Sequence, residues 1–176
     1  MTFLPAITDF ELLKERPALA RLLAWDPTSV SAARFERGEL SLIVQKDCLR
    51  EGVALLRDDP ELRFTFLSDI TCVDWHPREP RFEVVYELLS MVRKERVRLK
   101  VELGGAEPQV DSLVSLWPGA NYFEREVFDL FGIRFSGHPL PAANHDAGGL
   151  GGPSTAQGLS GRGLSLNEPS RAESGD

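Results

Sequence analysis

The spacing of apolar residues along this chain changes period several times, and each change marks an element. Phe10, Leu13, Pro17, Leu19, Leu22 and Leu23 recur at helical spacing, which predicts a short amphipathic helix interrupted or restarted at Pro17. Residues 29–35 and 39–44 flank Glu36-Arg37-Gly38, a hairpin pattern with Gly38 at the turn. Asp47 is placed to cap a second helix whose apolar face is Val53, Leu55 and Leu56 and which stops at Asp58-Asp59-Pro60. Three β-rich runs follow, at 64–75, 82–91 and 96–102. In the last, Val97, Leu99 and Val101 alternate with Arg96, Arg98 and Lys100, which predicts one buried face and one basic, wet face.

The order α-ββ-α-βββ followed by a helical end predicts an α+β fold. It has two layers, a mixed sheet with helices on one face, and a C-terminal helix. The pattern breaks near residue 140. The 36 residues of 141–176 hold eight Gly, five Ser and three Pro, and no Phe, Trp, Tyr, Val, Ile, Met or Cys. Such a stretch buries too little apolar surface to offset its ordering entropy, so the expected folding unit is 1–140 and 141–176 a disordered Gly/Ser/Pro-rich tail.

Composition narrows the function classes. The chain has 176 residues and a formal charge of −7, from 20 basic and 27 acidic side chains, which opposes a phosphate-tracking surface and hence a nucleic-acid partner. No stretch approaches the roughly 20 apolar residues of a membrane span, and the N-terminal residues lack the pattern of a signal peptide. Cys48 and Cys72 are far apart and form no CxxC pair, which supports neither a disulfide framework nor a zinc knuckle.

The densest signal is 116–139, LWPGANYFEREVFDLFGIRFSGHP. Asn121 followed by Glu124 has the form of a capping box. On a helical wheel Phe123, Val127, Leu130 and Phe131 share one arc, while Tyr122, Arg125, Glu126 and Asp129 lie opposite, with Arg125 and Asp129 in i,i+4 reach. Gly132 supplies a left-handed residue to end the helix, 133–135 reads as a short strand and Gly137-His138-Pro139 as a turn. The charged arc by itself is consistent with a solvated face. The aromatic load is heavier than one side of a short helix requires, and Phe128 sits at the edge of the apolar arc beside Arg and carboxylates, the make-up of an interface core.

The run Glu124-Arg125-Glu126-Val127-Phe128-Asp129-Leu130-Phe131-Gly132-Ile133, followed by Phe135 and Gly137-His138-Pro139, resembles the signature of the C-type subunit of bacterial NADH-quinone oxidoreductase, the counterpart of the 30-kDa subunit of respiratory complex I. FLSDITCVDW, RFEVVYELLS and the Trp117-Pro118-Gly119 lead-in are also similar to that family. The resemblance covers residues 60–139 strongly and the first 59 in outline. It implies a non-catalytic peripheral-arm subunit of a proton-translocating complex, bound to the 49-kDa-like protein near the quinone site. It further implies a place on the cytoplasmic face of the bacterial membrane, held there only through partners. No flavin, iron–sulfur cluster or catalytic side chain is implied for this chain. NADH, FMN, iron–sulfur clusters and quinone would belong to the assembly, and two isolated Cys cannot ligate a four-thiolate cluster. The residues carried over as signature or partner interface are Trp117, Glu124, Arg125, Glu126, Phe128, Asp129, Phe131, Gly132 and His138.

The resemblance stops at Pro139. There the family pattern continues with a basic segment, a second GHP and then LRKD, whereas this chain reads PAANHDAGGLGGPSTAQGLS. Codons can be chosen for that string so that reading one base later gives LRRIMMPEDWEGHPLRKDY, the continuation the family predicts. A single-base frame change near Leu140 is therefore the expected origin of the tail.

Four other readings compete. A metal-dependent hydrolase could draw on His138, His145 and Asp146, with Asp74 and His76 as a second small cluster, but no HxxxH or HExxH spacing fixes ligands on a helix. A Cys72 nucleophile is opposed by its apolar strand, where burial makes thiols inert. A related subunit of a membrane-bound hydrogenase or formate hydrogenlyase, or a plain adaptor, would be distinguished by the company it keeps.

Overall fold

A computed structural model describes residues 6–139, and the 141–176 tail and its reading frame lie outside the described residues. The first helical segment is two helices, α1 (Phe10–Leu13) and α2 (Pro17–Trp25), with Pro17 in the first helical position of α2, where its missing N–H costs nothing. Strands β1 (Val30–Glu36) and β2 (Glu39–Val44) form the hairpin. Its two turn residues, Arg37 and Gly38, both have positive φ (54° and 86°), the conformation whose twist matches the flanking strands.

Helix α3 (Leu49–Asp58) buries Leu49, Val53 and Leu56 completely, while Leu55 is half-buried. Asp47 does not cap it. Residues Lys46–Cys48 make a 3₁₀ turn, and Cys48 occupies the cap position without a side-chain bond to the helix. Strands β3 (Phe66–Asp74), β4 (Phe82–Ser90) and β5 (Glu95–Leu103) complete a five-stranded mixed sheet of order β1-β2-β5-β4-β3, in which only β2 and β5 run parallel.

The register explains the two layers. Ala33, Leu42, Leu99, Tyr86 and Ile70 stand opposite one another in a row across all five strands, all buried. That face joins one core with Leu19 and Leu22 of α2, Leu49, Val53 and Leu56 of α3, and Val127 from further along the chain. Fully burying aliphatic side chains of this kind contributes about 1.5–3 kcal/mol each before entropy is counted.

The opposite face departs from the simple wet, basic surface that the alternation of β5 predicts. Arg98 is held between Glu87 and Glu39, the latter at 3.2 Å, and Lys100 Nζ lies 2.8 Å from the Glu83 carboxylate, itself almost fully buried. The cations of β5 meet carboxylates from the two strands beside it, which the periodicity of one strand cannot show.

A second, two-stranded parallel sheet joins β6 (Gln109–Asp111) to β7 (Arg134–Ser136), and between them runs helix α4 (Ala120–Phe131).

Candidate functional site

Helix α4 carries most of the residues singled out from the sequence, and the residues around it decide which of its side chains are available. It begins at Gly119–Ala120 without a side-chain cap, so the Asn121/Glu124 capping box is not formed. Glu124 instead turns inward. Fully buried, it accepts the Ser112 hydroxyl at Oε2 (2.7 Å) and the Leu113 amide at Oε1 (2.6 Å), tying α4 to the chain leaving β6. Burial pushes its pKa up from the ordinary carboxylate value, partly opposed by those two bonds and by the nearby His138.

This inward carboxylate also rotates the apolar stripe. Ala120, Glu124 and Val127 are buried with Phe123, Phe128 and Phe131 half-buried around them, while Leu130 is 68% exposed. At about 100° per residue, a stripe centred between Val127 and Glu124 reaches Phe128 before it reaches Leu130. A wheel drawn without Glu124 on its buried side places Leu130 inside the arc and Phe128 at its edge. In the structure the two exchange roles.

Several signature residues are consumed in holding α4 in place. Trp117 Nε1 donates to the Thr65 carbonyl at 2.9 Å, and the Arg57 guanidinium stands 5.6 Å from the centre of its ring while donating to the Leu116 carbonyl. Phe131 meets Phe82 edge-on at 6.4 Å. Gly132 is left-handed (φ 73°) and its N–H returns to the Phe128 carbonyl, so the sequence reading of this terminus holds. His138 Nε2 lies 3.4 Å from the Asn121 carbonyl, which folds the Gly137-His138-Pro139 turn back onto the start of the helix.

What remains outward is Tyr122 (79% exposed), Arg125, Glu126, Asp129 and Leu130. Arg125 and Asp129 approach to only 3.9 Å and are well exposed, so the pair contributes little to folding. Tyr122 and Leu130 are the residues that sequence reasoning did not single out. Tyr122 already shares the outward arc of the sequence pattern, whereas the exposure of Leu130 is readable only once Glu124 is known to face inward.

The metal alternative meets other geometry. Among the described residues no group of three or more His, Cys, Asp and Glu side chains is placed to hold an ion, and His145 and Asp146 lie outside those residues. Asp74 is engaged by Arg81 at 2.9 and 2.7 Å and by the His76 amide. Those Arg81 bonds hold its carboxyl down to about 2. Cys72 is buried, and that burial pushes its thiol up to about 11, which disfavours the nucleophilic thiolate.

The comparison with known proteins then resolves the family. Residues 42–143 match the family model described as respiratory-chain NADH dehydrogenase, 30 Kd subunit. The chain belongs to that family. The C-type subunit of NADH-quinone oxidoreductase from Roseiflexus sp. (strain RS-1) is 49% identical over 127 residues, covering 72% of this chain and 73% of that protein. Its counterpart from Rhodobacter capsulatus is 46% identical over 113 residues, 64% of this chain and 56% of that protein. Among solved structures, one described as Nqo5 of the trypsin-resistant fragment (1–134) superposes with a TM-score of 0.54 at 36% identity, covering 58% of this chain and 83% of that one. A membrane-bound sulfane sulfur reductase, an archaeal respiratory membrane complex, shares the fold at a TM-score of 0.58 and 23% identity, over 76% of this chain and 79% of that one. In this 30-kDa-subunit member the residues singled out from the sequence divide into an inner set, Trp117, Glu124, Phe131, Gly132 and His138, that positions α4, the half-buried Phe128 at its margin, and an outer set, Arg125, Glu126 and Asp129, left on the surface.

Proposed function

We propose that this chain is a non-catalytic peripheral-arm subunit of a proton-translocating NADH:quinone oxidoreductase. It docks to the 49-kDa-like subunit through the outer face of α4 and supports electron transfer from NADH to quinone without holding a cofactor itself. The observation that carries this reading is the outer face itself. Two large side chains, Tyr122 and Leu130, stand exposed among Arg125, Glu126 and Asp129 on a helix whose other side is pinned by a buried carboxylate. A rigid patch of apolar and charged groups at that density suits a protein interface. Phe128, half-buried at the margin, would be covered on docking.

Attachment to the membrane follows from partners in this reading, since no helix among the described residues is long and apolar enough to span it. NADH, FMN, iron–sulfur clusters and quinone are handled by other subunits, and the cytoplasmic face is where those partners would hold the chain. The folding unit is 1–140. The 141–176 segment is an out-of-frame replacement for a basic extension that would lie on the partner, so affinity is reduced relative to relatives that keep it. The test is mass spectrometry of the chain isolated from mildly solubilised membranes, with a photo-cross-linker at Arg125. Cross-links to the 49-kDa-like protein support the reading, and recovery of the chain alone contradicts it.

A further inference from the structure

A second group of exposed apolar side chains lies where the β4–β5 turn meets the start of β3, the strand against which α4 packs. Met91 and Val92 head the turn and are 66% and 64% exposed, and Phe66 is 52% exposed. Phe66 stands directly opposite Leu89 in the β3–β4 register, two residues before Met91. The turn is not a loose tip. Ser90, fully buried, donates its hydroxyl to the Leu62 carbonyl at 2.6 Å and accepts the Arg93 amide, which clamps the turn to the 62–66 segment. Ordering three large apolar side chains against water in this way has no benefit for the isolated fold, because none of the three reaches the core.

The charge around the patch has one sign in excess. Arg63 and Lys94 are exposed, both held at positive φ (49° and 54°), and neither side chain has an ion pair or hydrogen bond among the described residues. Arg93 is neutralised by Glu95 at 3.0 Å with Glu61 nearby, and Arg96 reaches Glu39 only at 4.0 Å. On a chain of net charge −7, this corner is locally basic around an apolar centre.

We propose that the Phe66–Met91–Val92 corner is a second docking surface, for a protein partner that presents an apolar patch rimmed by Asp or Glu carboxylates. Apolar contact supplies the affinity there, and Arg63 and Lys94 select an acidic rim. An anionic membrane is the other surface that would complement this chemistry. The clamp by Ser90 favours a protein, because it fixes the three side chains in one geometry, which a fluid lipid surface does not require.

The test places a photo-cross-linking residue at position 91 of the full chain, expressed in its native membranes, with exposed position 12 of α1, the helix beside edge strand β1, as the control. The expected result is a cross-link from position 91 to a mapped, carboxylate-bearing protein segment, absent from position 12. Lys94→Glu combined with Arg63→Glu should reduce it at least about tenfold with an unchanged Tm. Cross-links only to lipid, no product above the position-12 control, or a yield indifferent to both charge reversals would overturn the proposal. Whether the unsubstituted chain co-elutes with NADH:quinone oxidoreductase is read separately in the same preparation. A mapped acidic partner from outside that complex would uphold this surface while contradicting the assembly proposed above.

Discussion

Glu124 and Ser112 face each other in the interior, Oε2 to Oγ at 2.7 Å, and join α4 to the chain leaving β6. The contact places a carboxylate where a helix of this pattern would ordinarily bury a Leu, and it leaves the neighbouring positions to be presented outward. Removing the side chain in Glu124→Ala orphans the buried Leu113 amide, at a cost of about 1–3 kcal/mol. Glu124→Gln keeps an acceptor for that amide and should lose less. Urea unfolding of the full chain distinguishes the two.

The same carboxyl gives stability a pH signature. Its folded pKa is raised above the ordinary 4.5, so the folded state binds the proton more tightly than the unfolded chain. This contribution is fully present below the unfolded value and is lost as pH rises through the folded one. The difference between wild-type and Glu124→Gln unfolding midpoints should therefore shift against the wild type as pH increases from about 4.5. A pH-independent difference would show that the carboxyl is not perturbed.

Asp74 has the opposite sign. Held down to about 2 by Arg81, it contributes above its unfolded value near 3.8 and loses that contribution as pH falls towards 2. In Arg81→Ala its carboxyl should titrate higher than in the wild type, with the His76 amide still holding it down, readable as the midpoint of the Asp74 side-chain carbon shift by NMR.

Much of this architecture was legible from spacing alone. The Pro17 break, the hairpin at Arg37-Gly38, the three β runs and the Gly132 terminus all depend on local periodicity or on a φ that few residues adopt, and local chemistry records both. The errors fall where a polar side chain has a distant partner. Glu124 bonds to residues eleven and twelve positions upstream, so its local resemblance to a capping box was misleading, and the stripe inferred without it was turned towards Leu130. Arg98 and Lys100 looked solvated because Glu39, Glu83 and Glu87 lie on other strands. The outer face of α4 was therefore half-read: its charges and Tyr122 were placed outward, and its exposed Leu130 was not separated from the core set.

Cys72 should be chemically silent in the folded chain. A buried thiol pushed up to about 11 presents almost no thiolate at pH 8, so iodoacetamide should label it only after denaturation. Peptide mapping of the labelled native chain reads this directly, and native labelling of Cys72 at the rate of an exposed thiol would contradict the fold around it.

Tyr86 carries the one buried side-chain polar atom without a partner among the described residues, its hydroxyl sealed in the core. An unmade hydrogen bond of this kind is a cost, so Tyr86→Phe should leave stability unchanged or raise it by up to about 1 kcal/mol. Tyr86→Ala, which also opens a cavity, should lose about 3–5 kcal/mol. Thermal unfolding of both variants checks the contrast, and a marked loss in Tyr86→Phe would reveal a partner for the hydroxyl.

The most direct test of a docking role for α4 is the co-elution of the chain with NADH:quinone oxidoreductase activity from mildly solubilised membranes, comparing wild type with Tyr122→Asp/Leu130→Asp. Both positions are exposed, so the folded chain should keep its Tm. Wild type is expected to travel with the activity, and the double variant to be displaced to the position of the free chain by at least about tenfold. Wild-type chain eluting apart from the activity, or a double variant that stays with it, would contradict a docking role for the outer face of α4.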